Sequence, residues 1–275
     1  MIRLLRFFFF VILSLSASAQ KYVFKQFTID DGLAQSQVRA IAQGEKGYLW
    51  VGTASGLSRF NGREFFNYST NDGLVDMQVN AIFKSKKRGM WVVTNKGVTL
   101  FNDKKISKID ATSFVGDNNI FDADEDYENN LWLAVYKKGL AFLPKGNLKN
   151  AKTYTLPDNS VGSVFVTKNN DVLAWGAAIP FYVLNKQKNQ FEAVKYNNEE
   201  LIIKDIFQWS KDSLFVVSEE DVFVFSKNNL TSLSDVYLFP EIESISSIFV
   251  DSEKSVWLST NQGIYRLRAN GTTTH

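Results

Sequence analysis

The chain contains no cysteine and a single histidine, His275, the last of its 275 residues. Without cysteine there can be no disulfides and no thiolate metal ligands. With one terminal histidine, Ser-His-Asp and Cys-His nucleophilic sites are excluded in practice, and histidine-based zinc or iron centres go with them. Neither a P-loop nor a dinucleotide-binding glycine pattern occurs. An excess of one charge sign is missing too. The 31 basic residues include Arg3 and Arg6 of the N-terminal segment, and the 29 that remain are matched by 29 acidic residues. That balance argues against a nucleic-acid partner or an anionic membrane surface, which would need a basic excess. Proline is scarce, at 4.

Long apolar runs are also lacking, apart from the one that follows the basic head "MIRLLR". That run, "FFFFVILSL", ends in "SASAQ" with Ala17-Ser18-Ala19 before Gln20. The layout predicts a secretory signal peptide over 1–19, cut after Ala19, and hence a periplasmic or secreted protein. The alternative is an uncleaved anchor, but the run is about half of the ~20 residues that span a bilayer. No second run reaches membrane length, so no transmembrane helix is expected in the mature chain.

Aromatic residues are plentiful: 23 Phe, 10 Tyr and 6 Trp. They sit in short Val/Ile/Phe-rich segments of strand length, which favours a β protein. One phrase recurs. "YLWVGTASGLSRFNG" (48–62), "GMWVVTNKGVTLFND" (89–103) and "SVWLSTNQGIYRLRANG" (255–271) share one order of residues. Taking Trp50 as anchor, steps of 41 or 42 residues reach Trp91, Trp132, Ala174 with its neighbour Trp175, Phe215 and Trp257. Apolar residues keep phase with the anchors: Val38, Val79, Ile120, Ile203 and Ile245 stand twelve positions before theirs. Each unit reads as four short strands with turns between them, and "Asn61-Gly62" suggests a two-residue hairpin turn. Six such units predict an all-β fold, a β-propeller of about six four-stranded blades over 20–271, with 272–275 as a C-terminal tail. The indoles, or Phe215 in the fifth unit, would wedge neighbouring blades apart at their wide ends. "YVFKQFTIDDGL" aligns with "REFFNYSTNDGL", so Phe24 to Thr28 is expected to be a fourth strand that could complete the last sheet and close the ring.

The stretch "FTIDDGLAQSQVRAIAQGEKGYLWVGTASGLSRFNGREFFNYSTNDGL" resembles the two-component regulator propeller repeat: a DGL loop, a Val/Ile strand, Leu-Trp-Val-Gly-Thr, Gly-Leu, Asn-Gly and the next DGL. The resemblance runs from Lys21 to about Gly271, close in the first two units and weaker in the fourth and fifth, where Pro180 and Asp221 stand at the Gly56 position. It implies the periplasmic sensory region of hybrid histidine kinases of Bacteroidetes-type bacteria. There such propellers, often seven-bladed, precede a β-sandwich, a membrane helix and a kinase, and are associated with carbohydrate breakdown products. A truncated seven-bladed ring is therefore the alternative to a ring closed by the N-terminal strand. The sandwich, helix and kinase motifs do not occur in these 275 residues.

For ligand contact, the starts of the innermost strands are the expected place, because their side chains approach the central channel. Ten or eleven positions before the anchors stand Arg39, Asn80, Asp122, Ser163, Lys204, Asp205 and Ser246, which could bind a polar ligand such as an oligosaccharide or peptide. The alternative is a solvated channel mouth. The acidic run "DADEDYENN" (122–130) hints at calcium, but no Gly stands at its sixth position and Leu133 occupies the place of an EF-hand glutamate, so a hairpin turn is expected. No metal or cofactor is predicted, and no catalytic residue. The function these features predict is a non-catalytic, extracytoplasmic ligand-sensing propeller working with a membrane-bound signalling partner. The alternatives are a protein–protein scaffold and a glycan lyase or hydrolase acting through carboxylates alone.

Overall fold

The computed structural model describes residues 25–87, 89–102, 105–157, 159–233, 244–268 and 273–274; the predicted signal peptide lies outside them. Within these residues six four-stranded antiparallel sheets follow one another as simple meanders, the blades of a β-propeller. Blade 1 comprises Val38–Gln43, Leu49–Thr53, Gly56–Phe60 and Phe65–Tyr68, and blade 2 Val79–Lys84, Met90–Thr94, Gly97–Phe101 and Ile106–Asp110. Blade 3 is Ile120–Glu125, Leu131–Val135, Gly139–Leu143 and Lys152–Tyr154; blade 4 is Ser163–Val166, Val172–Trp175, Tyr182–Asn185 and Gln190–Ala193. Blade 5 is Asp205–Gln208, Leu214–Val217, Val222–Ser226 and Asn229–Ser232, and blade 6 is Ile245–Val250, Val256–Thr260, Gly263–Leu267 and Thr273–Thr274.

Strand alternation explains how one strand serves two neighbours. Leu131, Leu133 and Val135 turn toward blade 2 and pack with Val93 and Val98, whereas Trp132 and Ala134 turn toward blade 4 and pack with Val164 and Ala174. Successive side chains point to opposite faces, so a strand apolar at every position is buried on both sides. The second strands of blades 2 and 3 are buried from end to end. The DGL loops join the blades by a reciprocal cap. Ser69 and Asp72 form a capping box, Gly73 takes φ 109 as the chain reverses, and Leu74 drops into the Trp50 cluster between blades 1 and 2.

Three expectations change. The turn at Asn61-Gly62 is a four-residue loop, since Phe60 pairs with Phe65, because the Asn61 carboxamide accepts from both Arg63 and Glu64 N–H. In blade 4 the anchor is Leu173, 41 residues after Trp132, rather than Ala174. Leu173 faces blade 5 with Trp175 two positions on, while Ala174 faces back toward blade 3. Finally, the N-terminal segment does not complete the last sheet. The fourth strand of blade 6 is Thr273–Thr274, paired with Arg266 and Leu267. Lys25 to Thr28 forms no strand, and Phe24 lies outside the described residues. Phe27 instead lies on Phe60 and Phe65 of blade 1, ring centroids 5.1 and 5.6 Å apart. Aromatic contacts available within the first blade thus hold the segment there.

The two end faces stay bare. Val38 is 40% exposed and Ile41 65%, although Val79, the counterpart of Val38 in blade 2, is 0% exposed. On the far side Ile264 is 55% exposed, against 1% for its counterpart Val98. Among the described residues, the surface that joins blades at the internal junctions is therefore exposed at both ends of the series.

Candidate functional site

The first strands of blades 1 to 4 lie side by side, as do those of blades 5 and 6. In blades 1, 2, 3 and 6 that strand carries a bulge at the same place: the register skips at Arg39, Asn80, Phe121 and Ser246. A bulge leaves one residue unpaired and re-aims its side chain. Here it presents those four side chains at the start of the inner strands. Arg39 is exposed, and its Nη1 donates to Asn80 Oδ1 at 2.9 Å. Asn80 Nδ2 in turn donates to Asn95 Oδ1 at 2.8 Å and to the Ile120 carbonyl of blade 3 at 2.7 Å. Asn95 Nδ2 donates onward to Gln78. The Phe121 ring, 37% exposed, meets Tyr136 at 5.2 Å. This is a polar network across blades 1 to 3 with an aromatic pair beside it.

The predicted acidic positions sit one residue further along and do different work. Asp122 Oδ2 accepts from the Val164 backbone N–H of blade 4 at 3.1 Å, and Asp124 Oδ2 from Val166 N–H at 2.7 Å. Asp205, at the same place in blade 5, accepts from Ile248 N–H of blade 6 at 3.0 Å. Each carboxylate spans the gap between inner strands that backbone pairing cannot reach. Burial pushes the Asp122 carboxyl up to about 7, opposed by its two backbone N–H bonds and reinforced by the nearby Asp124 and Asp205 charges. Asp124 is also pushed up by burial, with the Lys86 ammonium opposing, and Asp205 is raised by burial as well.

The remaining predicted residues are dispersed. Lys204 precedes its strand and pairs with Glu219 at 3.3 Å, Ser163 opens blade 4 opposite Trp175, and Ser246 donates to the Ser259 carbonyl. In the acidic run, Glu125 turns toward blade 2 and accepts from Ser85 Oγ and Lys86 N–H, and Asp126 caps the hairpin through Glu128 and Asn130 N–H. Among the described residues no group of three His, Cys, Asp or Glu side chains could hold a metal ion. Phe121, Tyr136 and Asn95 were not singled out by sequence spacing. The bulge column, eleven positions before each anchor, could have found Phe121, whereas Asn95 and Tyr136 share a different column, four positions after Trp91 and Trp132.

Of the indoles, Trp50, Trp91 and Trp132 fill the junctions between blades 1 and 2, 2 and 3, and 3 and 4. Trp132 lies against Phe142 at 4.7 Å and Tyr154 at 5.4 Å. Phe215 takes the same place between blades 5 and 6. Trp257 is only half-buried.

Residues 32–55 match the family model described as two component regulator propeller. Over 61 residues the chain is 49% identical to a protein named histidine kinase P4 of Formosa agariphila, a match covering 22% of this chain and 4% of that protein. The fold resembles the extracellular domain of a protein of B. thetaiotaomicron described as a hybrid two component system, with a TM-score of 0.72, 16% identity, and coverage of 94% of this chain and 39% of that one. It also resembles virginiamycin B lyase from Staphylococcus aureus, with a TM-score of 0.67, 14% identity, and coverage of 87% and 83%. The chain thus spans well under half the length of the sensor-type relatives it matches. The same fold serves sensor domains and lyases. Among the described residues no helix is long and apolar enough to cross a membrane.

Proposed function

We propose that this chain is the extracytoplasmic ligand-sensing propeller of a two-component-type signalling system, without catalytic activity of its own. It takes a polar, carbohydrate-derived ligand at the channel mouth and passes the bound state to a membrane-bound signalling partner from a periplasmic or secreted position. The observation that carries the reading is the bulge column. The re-aimed Arg39 offers a charged donor, held in place by the Asn80 carboxamide, and Phe121 with Tyr136 offers ring faces on which a sugar can stack. The carboxylates that a hydrolase would need are committed to backbone N–H groups at the blade junctions. Support also comes from the matched propeller repeat and the histidine-kinase relative.

The test is calorimetric titration of the mature chain with a panel of neutral and acidic oligosaccharides, alongside Arg39→Ala and Phe121→Ala. The expected result is a saturable heat for at least one sugar that each substitution weakens by roughly tenfold, the loss of about 1.4 kcal/mol. Binding unaffected by both substitutions, or turnover of a sugar in place of binding, would overturn the proposal.

A further inference from the structure

A second feature lies away from the channel, on the outer part of blade 1. Arg59 stands opposite Trp50 on one neighbouring strand and opposite Phe66 on the other. Its guanidinium carbon lies 4.9 Å from the Tyr48 ring centroid, 5.4 Å from Phe66, and 5.7 Å from both Trp50 and Tyr68. Four rings therefore surround one cation. Among the described residues the guanidinium has no hydrogen bond and no ion pair, and its Nε is buried without a partner.

The repeat supplies its own control. Arg266 of blade 6 stands opposite Trp257 just as Arg59 stands opposite Trp50, and its guanidinium lies 4.8 Å over that ring. There Nη2 has two carboxylate partners, Glu253 at 2.8 Å and Asp251 at 3.3 Å. Asp251 also accepts from the Trp257 indole N–H at 2.8 Å. Counting back from Trp50 by the same six and four positions reaches Gly44 and Lys46. Blade 1 thus keeps the cation and the indole and lacks both acids. At Gly44 a side chain would be blocked in any case, since a Cβ there would fall 2.5 Å from Trp50 Nε1.

What blade 1 has instead is space. Arg59 opens onto a cleft of about 530 Å³ between blades 1 and 2, walled by Trp50, Tyr68 and Phe101, with Lys46, Lys105 and Glu45 among the described residues at its rim. The volume lies within the range of small-molecule sites. A planar guanidinium held by ring faces keeps its donor edge for a carboxylate, and flanking aromatics receive a ring.

We propose that this cleft binds a small ring-bearing carboxylate, whose acid group takes on Arg59 the place that Asp251 and Glu253 fill on Arg266. The site is separate from the channel mouth and does not depend on the sensing proposal.

Titration of the mature chain with benzoate, cyclohexanecarboxylate and the neutral benzamide, followed by ¹H–¹⁵N NMR of the indole N–H groups, tests it. The expected result is a saturable shift of the Trp50 signal with the acids and at least tenfold weaker binding of benzamide. The two acids separate their sources: a preference for benzoate marks an aryl acid, a preference for cyclohexanecarboxylate a saturated ring acid. Arg59→Gln should abolish the shift, and Arg266→Gln should leave it unchanged. Equal response to benzoate and benzamide, or no response to any probe in the unmodified chain, would overturn the proposal. So would undiminished benzoate binding by an Arg59→Gln chain that melts as a folded protein.

Discussion

Blades 3 and 6 place the same residue in the same register and use it differently. Trp132 and Trp257 are each second in the second strand of their sheet. Trp132 is 4% exposed, with blade 4 laid over it and its indole nitrogen left without a partner. Among the described residues no blade lies over Trp257. It is half-buried, bonded to Asp251 and covered by Arg266. The comparison teaches that the indole's value as a wedge comes from the sheet placed upon it. Where that sheet is missing, polar partners substitute. The inner strand of blade 3 is tied to the following blade as well, through Asp122 and Asp124.

The largest way to break the comparison is Trp132→Ala, which should cost about 3–5 kcal/mol by removing a buried aromatic from a closed junction. Denaturant unfolding checks it, and an unchanged midpoint would contradict the wedge role. Next comes pH. Because the Asp122 carboxyl is raised from 3.8 to about 7 in the folded chain, the native state holds more protons than the unfolded one between those values. Its contribution to stability therefore falls as pH climbs from about 4 to about 7, by on the order of 4 kcal/mol at ~1.4 kcal/mol per unit. Unfolding measured across that window should show the decline, and Asp122→Ala should make it shallower, leaving the shares of Asp124 and Asp205, while lowering stability overall. A wild-type slope that survives this substitution would move the effect elsewhere. The smallest change is Trp257→Ala, expected to cost about 1–2 kcal/mol for one cation–π contact and one charge-assisted hydrogen bond. A cost equal to that of Trp132→Ala would mean that blade 6 has a covered face.

The period, the strand class and most of the junction residues were legible in the sequence because a doubly buried strand leaves an unbroken apolar signature with an indole in fixed phase. Phase failed where the signature weakened. In the fourth unit Trp175 drew the anchor toward Ala174, and only the facing of Leu173 toward blade 5 corrects it. The acids at 122 and 205 could be placed at the strand starts, but their partners are backbone N–H groups more than forty residues away, invisible to side-chain patterning. The Phe24 to Thr28 expectation rested on repeat alignment alone, which cannot weigh Phe27 contacts with Phe60 and Phe65. The contrast between Arg59 and Arg266 was present in the letters, as Gly44 and Lys46 against Asp251 and Glu253, and gained meaning once the register set both arginines on their indoles.

The central claim is that one repeated surface is sealed at each internal junction and bare at both ends. A chain without cysteine allows it to be tested by native-state thiol labelling of four single variants: Val38→Cys and Ile264→Cys at the ends, Val79→Cys and Val98→Cys at their internal counterparts. The end positions should react within about tenfold of the denatured rate, while the internal ones are protected by at least roughly a hundredfold, in keeping with local opening of a packed junction. Protection of positions 38 and 264 as strong as that of 79 and 98 would show that the end faces meet, and would contradict the account.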